Sequence, residues 1–467
     1  MTKHTPSVAA FLLFCACGVP PVHADVLVRW DQPRVPSRES LGISSLLVPA
    51  ANPEAVREAI DRGYTVYVEV EAAQLAGFAP TSERIAGVVV NGAVSEEQLA
   101  QVRERLSSPG LRVLGQEERG KWPHIRLNWV TKRNDVLQVS SRTAQPWIEN
   151  NAALLRIAHA GTPATTPLLR YAWRPMTVAD ADEGPALENY LVAIAEAGSF
   201  GGDLVLPLHE GFQKALLFGR PAARAGWNEI RRYLEFYAWN LPRQYRGMAN
   251  VGVVAGEPMT HFEILNLLLR HNLSAEVIAP GSLPGRDIAW FQLLIVLDQP
   301  AGEQLQSLSE FAEKGGTVVL ANAKGPFPWH GGTPLSRTEQ QVSYRVGDGR
   351  VVEVLAPIAD PNVFALEMRQ LLGPDKRLVD IWNGITVLAA PYQEPDGKSV
   401  LVSILNYAHE PLPVQLRVRG TFSLVHYETP GQEPVLLPYQ HREGYTEFVV
   451  PALRIGGRVF LSDEAGF

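Results

Sequence analysis

Thr65-Val-Tyr-Val-Glu-Val-Glu71 reads as a β-strand of strict alternation, and parity sorts its side chains into two chemically distinct faces. Val66, Val68 and Val70 form one apolar face suited to surrounding helices, which leaves Tyr67, Glu69 and Glu71 on the other. On either side the same kind of unit repeats. Val26-Leu-Val-Arg-Trp30 and Ser44-Ser-Leu-Leu-Val-Pro49 precede it, the latter followed by Asn52-Pro53, an N-cap residue with proline at the first helical position. Gly87-Val-Val-Val-Asn91 comes next, and then Ser95 and Gln98, spaced as a capping box ahead of a helix carrying Leu99, Val102 and Leu106. Leu111 to Gly115 is a fifth strand, and either Ile125 to Val130 or Val136 to Ser140 is a sixth. Leu168 to Trp173 and Asp203-Leu-Val-Leu-Pro-Leu208 complete the set, with helices expected over Pro185 to Ala197 and about Ala223 to Trp239. Eight strand-helix steps in about 215 residues fit a (β/α)8 TIM-like barrel. A doubly wound sheet is the alternative, disfavoured because no glycine-rich phosphate loop succeeds the first strand.

Beyond Pro242 to Met248 a second alternation begins with Val251-Gly-Val-Val-Ala255 and runs through Leu293 to Leu297, helix Glu303 to Glu313 and Thr317 to Leu320. It predicts a small α/β domain over residues 249–380. Later, Gly347-Asp348-Gly349 and Pro395-Asp396-Gly397 punctuate alternating runs as hairpin turns do. Val400 to Asn406, Val414 to Val418, Phe422 to His426 and Glu447 to Val450 are β-strands, so residues 381–467 read as an antiparallel sandwich.

The chain has 467 residues, too many for one core, with 46% hydrophobic and 19% charged residues, the balance of a globular protein. A formal net charge of −7 offers no broad attraction for nucleic acid. Lys3 and His4 precede an apolar run from Val8 to Gly18, and Val22-His23-Ala24 has small residues where a signal peptidase reads. Residues 1–24 are therefore expected to be a signal peptide, exporting a mature chain to the periplasm or the outside. At about 11 residues the run is too short to span a membrane. The competing reading is a lipoprotein acylated at Cys17, although Phe14 stands where a lipobox has leucine. Both cysteines, Cys15 and Cys17, lie in this segment, so cleavage leaves no thiol for disulfide, zinc or nucleophile chemistry.

This order of parts, with Phe311-Ala-Glu-Lys-Gly-Gly-Thr-Val-Val-Leu-Ala321 in the middle unit, resembles family 42 β-galactosidases. The resemblance implies a catalytic barrel, an amidotransferase-like middle domain that mediates homo-oligomerisation, and a terminal β-domain. It also implies an Asn-Glu pair at the end of the fourth strand, where this chain has Asn91-Gly92. Either the acid has moved to another strand, or the site is degenerate.

Glycoside cleavage needs a proton donor and a second carboxylate, and in a barrel both sit at the C-terminal ends of strands. Glu71, Glu117, Glu210 and Asp31 occupy such ends. Glu210 is taken as nucleophile or base and Glu71 as acid, with Glu117 as substitute. Against this stands the bland reading that strands end in solvent, where acids are common. Trp30 and Trp173, at strand ends, offer rings for stacking on sugar or simply for packing. Asp31, Asn91 and His209 complete the candidate substrate-binding set. Arg29 and Arg174 are expected to pair with neighbouring acids, and His159 and His209 read more readily as packing residues than as ligands. No metal-ligand spacing and no Gly-x-Ser-x-Gly elbow is present, and no cofactor is implied. The expected function is an exported glycoside hydrolase acting on an oligo- or polysaccharide; the alternative is a catalytically degenerate carbohydrate-binding or envelope scaffold protein.

Overall fold

The computed structural model describes residues 26–79, 84–92, 94–105, 110–113, 124–125, 129–133, 136–140, 151–161, 168–173, 178–238, 245–322, 324–408 and 410–463. The signal segment with Cys17, and also Glu117 and Arg174, lie outside the described residues.

The first unit contains strands β1 (Val26–Arg29), β2 (Ser45–Pro49), β3 (Thr65–Glu71), β4 (Ile85–Asn91), β5 (Gly110–Val113) and β6 (His124–Ile125). After them come β7 (Trp129–Arg133), β8 (Val136–Ser140), β9 (Leu168–Arg170), β10 (Ala172–Trp173) and β11 (Asp203–Pro207). Its helices are α1 (Arg38–Leu41), α2 (Pro53–Asp61), α3 (Glu96–Arg105), α4 (Ala152–Gly161), α5 (Val178–Glu183), α6 (Leu187–Phe200), α7 (Glu210–Leu217) and α8 (Pro221–Ala238). Seven strands form one parallel sheet in the order β5-β4-β3-β2-β1-β11-β9. β10 continues directly from β9 and pairs in parallel with β6. The result is a curled parallel sheet, a half-barrel. Of the two alternatives for the sixth strand, Val136–Ser140 is corrected: it folds back on Trp129–Arg133 as an antiparallel hairpin and takes no part in the parallel sheet, whereas Ile125 of the other alternative ends β6.

Local chemistry explains the elements. Asn52 caps α2 by accepting the Ala55 N–H at 3.3 Å, and the Ser95–Gln98 box forms with both bonds present, at 2.9 and 3.2 Å. Strand parity sorts the sheet as the alternation demands. Val66, Val68 and Val70 join the outer core with the helices, while Leu27, Leu47, Val89, Leu168 and Val205 cluster on the inner face with Tyr67 beside them.

Helix α6 is covered all round: every residue from Asn189 to Phe200 is buried. It lies between β11, α8 and the terminal β-unit, so it has no solvent side. Gly198 permits the approach of α8, since a Cβ there would stand 2.3 Å from the Tyr237 ring. Ser199 shares a 2.7 Å hydrogen bond with Ser403, and the Tyr392 hydroxyl donates to the Ser199 carbonyl at 2.6 Å.

The middle unit is a seven-stranded sheet whose parallel strands run Ala275–Ile278, Val251–Val254, Leu293–Val296, Thr317–Ala321 and Gly349–Val354. The Gly347-Asp348 hairpin adds Gln341–Val346 antiparallel at its side. The terminal unit pairs a six-stranded with a four-stranded antiparallel sheet around its own core, which includes Val402, Leu416, Val425 and Val459.

A buried carboxylate joins the first and terminal units. Glu196 of α6 accepts from the Asn151 backbone N–H and side-chain amide, both at 2.6 Å, from the Tyr171 hydroxyl at 3.0 Å, and from the Tyr407 hydroxyl of the terminal unit at 2.6 Å. Replacing it strands all these donors. Glu196→Ala is therefore expected to lower the unfolding free energy by about 3–5 kcal/mol, checked by urea denaturation.

Candidate active site

The C-terminal ends of β1, β3, β4 and β9 carry the polar groups of the inner face. Glu69, with only 3% of its side chain exposed, receives the Arg29 Nε–H at 2.7 Å and also forms an ion pair with Arg170 of β9. Arg29 pairs in addition with Asp31. Gln213 of α7, fully buried, accepts the Asp31 backbone N–H at 2.9 Å, and its amide donates to Asp31 Oδ2 at 3.3 Å and to the Leu208 carbonyl at 2.8 Å. The Asn52 amide reaches the Asp31 carbonyl at 3.2 Å. One network thus ties β1, β3, β9, α2 and α7 together. Burial, with Arg29 close by, lowers the Arg170 guanidinium to about 10, which leaves it a cation at neutral pH beside Glu69.

Glu71 stands one alternation beyond Glu69 and is exposed. It accepts the Asn91 amide at 2.8 Å, because parallel register places the two directly opposite at the ends of β3 and β4. Asp31 keeps 33% of its side chain exposed. Glu71, Asn91 and Asp31 therefore share the rim of one sheet.

Other expected residues stand elsewhere. Trp30 cannot stack on a sugar: its exposure is 0% and its indole N–H donates to the Arg34 carbonyl at 2.8 Å. It is a core residue because it shares the outer parity of Val28, not the inner parity of Arg29. Trp173 is partly buried against the same core, and its indole N–H has no partner among the described residues. His209 caps α7, its Nδ1 accepting the Gly211 N–H at 3.3 Å while Nε2 lies 2.9 Å from the Ala181 carbonyl. It turns outward to a cavity of about 860 Å³ that Tyr190, Phe212, Glu229 and Arg454 also line, and none of Asp31, Glu69 and Glu71 lines that cavity. Glu210 opens α7 and forms an i,i+4 ion pair with Lys214 at 2.5 Å. The hydrogen bond from Lys214 holds its carboxyl below the usual carboxylate range. Among the described residues no hydrogen bond joins Glu210 to the rim network.

Two members of the network, Arg170 and Gln213, are not strand-end acids or aromatics and so escape a search for those types. One signal along the chain was usable: Arg170 shares the inner parity of Leu168 and so faces the same interior as Glu69. Arg29 pairs with acids, as its neighbours in the chain suggest. Among the described residues no group of three His, Cys, Asp or Glu could hold a metal, and no helix is long and apolar enough to cross a membrane.

No protein-family model matches the chain, and no curated protein matches it in sequence. Solved structures do. Alpha-L-fucosidase isoenzyme 2 from Paenibacillus thiaminolyticus aligns with a TM-score of 0.59 at 11% identity, covering 95% of this chain and 99% of that one. The exo-beta-1,4-mannosidase Op5Man5 from Opitutaceae bacterium strain TAV5 aligns at 0.46 and 11% identity over 75% of this chain and 94% of that one. A beta-galactosidase from Bacillus circulans sp. alkalophilus aligns at 0.40 and 11% over 88% and 65%. GH42 beta-galactosidases thus stand among the structures this chain is similar to, together with other glycoside hydrolases. The fucosidase alignment shows the fold, which is glycoside-hydrolase-like.

The Glu69 ion pairs and the half-buried histidine of α4 are each open to measurement. Arg170→Met leaves Glu69 buried with one cation fewer and is expected to cost about 3 kcal/mol of stability, most of it recovered in Arg170→Met/Glu69→Met, as chemical denaturation of the single and double variants would show. His159 of α4 is lowered from 6.5 to about 4 by burial, with Arg156 adding to the effect. The unfolded chain takes up that proton first, so stability is full above pH 6.5 and falls as pH drops toward 4, by on the order of 1–2 kcal/mol after solvent screening. Denaturation midpoints of His159→Gln across pH 4–7 should lack that part of the slope.

Proposed function

We propose that the protein is an exported glycoside hydrolase of (β/α)8 plan that cleaves an oligo- or polysaccharide at the C-terminal rim of its curled sheet. The observation that carries this reading is the placement of Glu71 against Asn91, with Asp31 on the same rim, in a glycoside-hydrolase-like fold. Asn91 has glycine after it, and the carboxylate that meets its amide comes from the neighbouring strand instead. Glu71 is the proton donor to the glycosidic oxygen. Asp31, paired with Arg29, is the base that takes a proton from water as the water oxygen bonds the anomeric carbon and the glycosidic C–O bond breaks. β1 and β3 lie two strand spacings apart, about 10 Å, which suits the wider carboxylate separation of inverting enzymes. Asp31 takes precedence over Glu210, whose carboxylate is engaged by Lys214 on α7, while Glu117 stays the substitute acid. Glu69 is not a reacting group, because two guanidiniums engage and cover its carboxylate.

The second reading, a carbohydrate-binding scaffold, draws on Gly92 in the place of an acid and on the internal neutralisation of Glu69.

A chromogenic-glycoside and glycan screen on the full chain separates the two. Glu71→Gln and Asp31→Asn are expected to lower kcat by about 10²–10⁴-fold, the Glu71 variant losing least on substrates with activated leaving groups, and Glu210→Gln to change little. Undiminished hydrolysis in Glu71→Gln would sink the assignment, and sugar binding without turnover would favour the scaffold.

A further inference from the structure

The four-stranded sheet of the terminal unit turns one face to its core and the other outward. Val414, Leu416 and Val418 are buried, so Gln415, Arg417 and Arg419 point away from the core. Register builds rows across this outer face. Arg419 and Arg442 flank Tyr445 on adjacent strands, and the next row sets Arg417 beside Glu447 and Gln440. Trp382 lies one step further along, its backbone N–H donating to the Gln415 carbonyl at 3.3 Å. A groove of about 670 Å³ crosses the face, with Trp382, Gln415, Gln440, Arg442 and Glu447 among its walls.

The chemistry of these walls is mixed. Trp382 is 51% exposed, although it is among the largest apolar side chains, and the Arg417 guanidinium backs it 5.2 Å from the ring centroid. Gln440 donates to Glu447 Oε2 at 3.0 Å, which fixes both planar groups at the groove. Around Asp380 gather Arg369, Arg377 and Arg417. Arg419 and Arg442 have no ion-pair partner among the described residues. With Asp375 and Glu447 counted beside Asp380, the patch is still positive, in a chain whose net charge is −7.

We propose that this groove is a second, non-catalytic site that binds an acidic saccharide chain. A flat exposed indole suits the C–H face of a sugar ring. Gln415, Gln440 and Glu447 supply acceptors for hydroxyls, and Arg442 in the groove wall, with Arg419 beyond Tyr445 on the same face, supplies a cation for uronate carboxylates. Single-stranded nucleic acid fits less well, since it calls for aromatic rings in series along a basic channel. Here one tryptophan is exposed at the groove, the Tyr439 hydroxyl is held by the Ser423 carbonyl at 2.8 Å, and Glu447 would face phosphate. The site does not depend on Glu71 or Asp31 and stands or falls apart from hydrolysis at the rim.

Affinity electrophoresis of the full chain through gels containing polygalacturonate tests it, with dextran, poly-L-glutamate and an oligothymidylate as comparison polymers. Retardation by polygalacturonate is expected, weakening with salt, at least tenfold weaker in Trp382→Ala and several-fold weaker in Arg442→Gln. Arg442→Gln removes only an unpaired side chain, so it keeps the test valid should Trp382→Ala unfold the sheet, which a melting curve would show. No retardation by polygalacturonate, equal retardation by dextran, tighter binding of either other polyanion, or indifference to Arg442→Gln would each overturn the proposal.

Discussion

A carboxylate taken out of water must be met by positive charge, and Glu69 is met twice, by Arg29 from β1 and by Arg170 from β9. Neither strand is a direct neighbour of β3, with β2 between β3 and β1 and β2, β1 and β11 between β3 and β9, so the ion pairs span the curl of the sheet. Arg29 extends the clamp to Asp31, and Gln213 locks Asp31 to α7. The rim inherits its geometry from this floor. Glu71 and Asn91 project beyond it from strands held in register, which is the preorganisation that the proposed acid-base chemistry calls for.

The terminal β-unit contributes to the same rigidity from outside. Helix α6 is covered on all sides because the sandwich closes the face that a barrel helix usually leaves to solvent. Tyr407 and Ser403 then bond to Glu196 and Ser199 of that helix. A continuous core runs from Val66 through Leu191 to Leu401 and on to Leu267 of the middle unit. Under this arrangement the outer sheet face bearing Trp382 is held at a set position relative to the rim.

Much of the scaffold was readable along the chain, for a local reason. Alternation at Val66, Val68 and Val70 and the Ser95–Gln98 box depend on neighbours a few residues away, and both appear as the pattern dictates. Where periodicity alone was not enough, pairing and capping decided. Val136 to Ser140 is apolar enough for a buried strand, yet its pairing partner is Trp129–Arg133 and not the sheet. Trp30 reads as a rim aromatic only if the parity that carries Arg29 inward is not extended one residue further. Glu210 and His209 come after a strand end in sequence, but the cap that starts α7 turns His209 toward α5 and hands Glu210 to Lys214.

By itself the sequence determined the alternation of strands and helices, the two faces of β3 and the supply of acids at strand ends, because these arise from periodicity and from the backbone's short reach. Only the tertiary structure decided which acid is buried and neutralised, which meets Asn91 and which belongs to a helix. The first two outcomes rest on contacts between strands, such as that of Glu69 with Arg170 about a hundred positions away, whose meeting depends on strand order and register that no local pattern encodes.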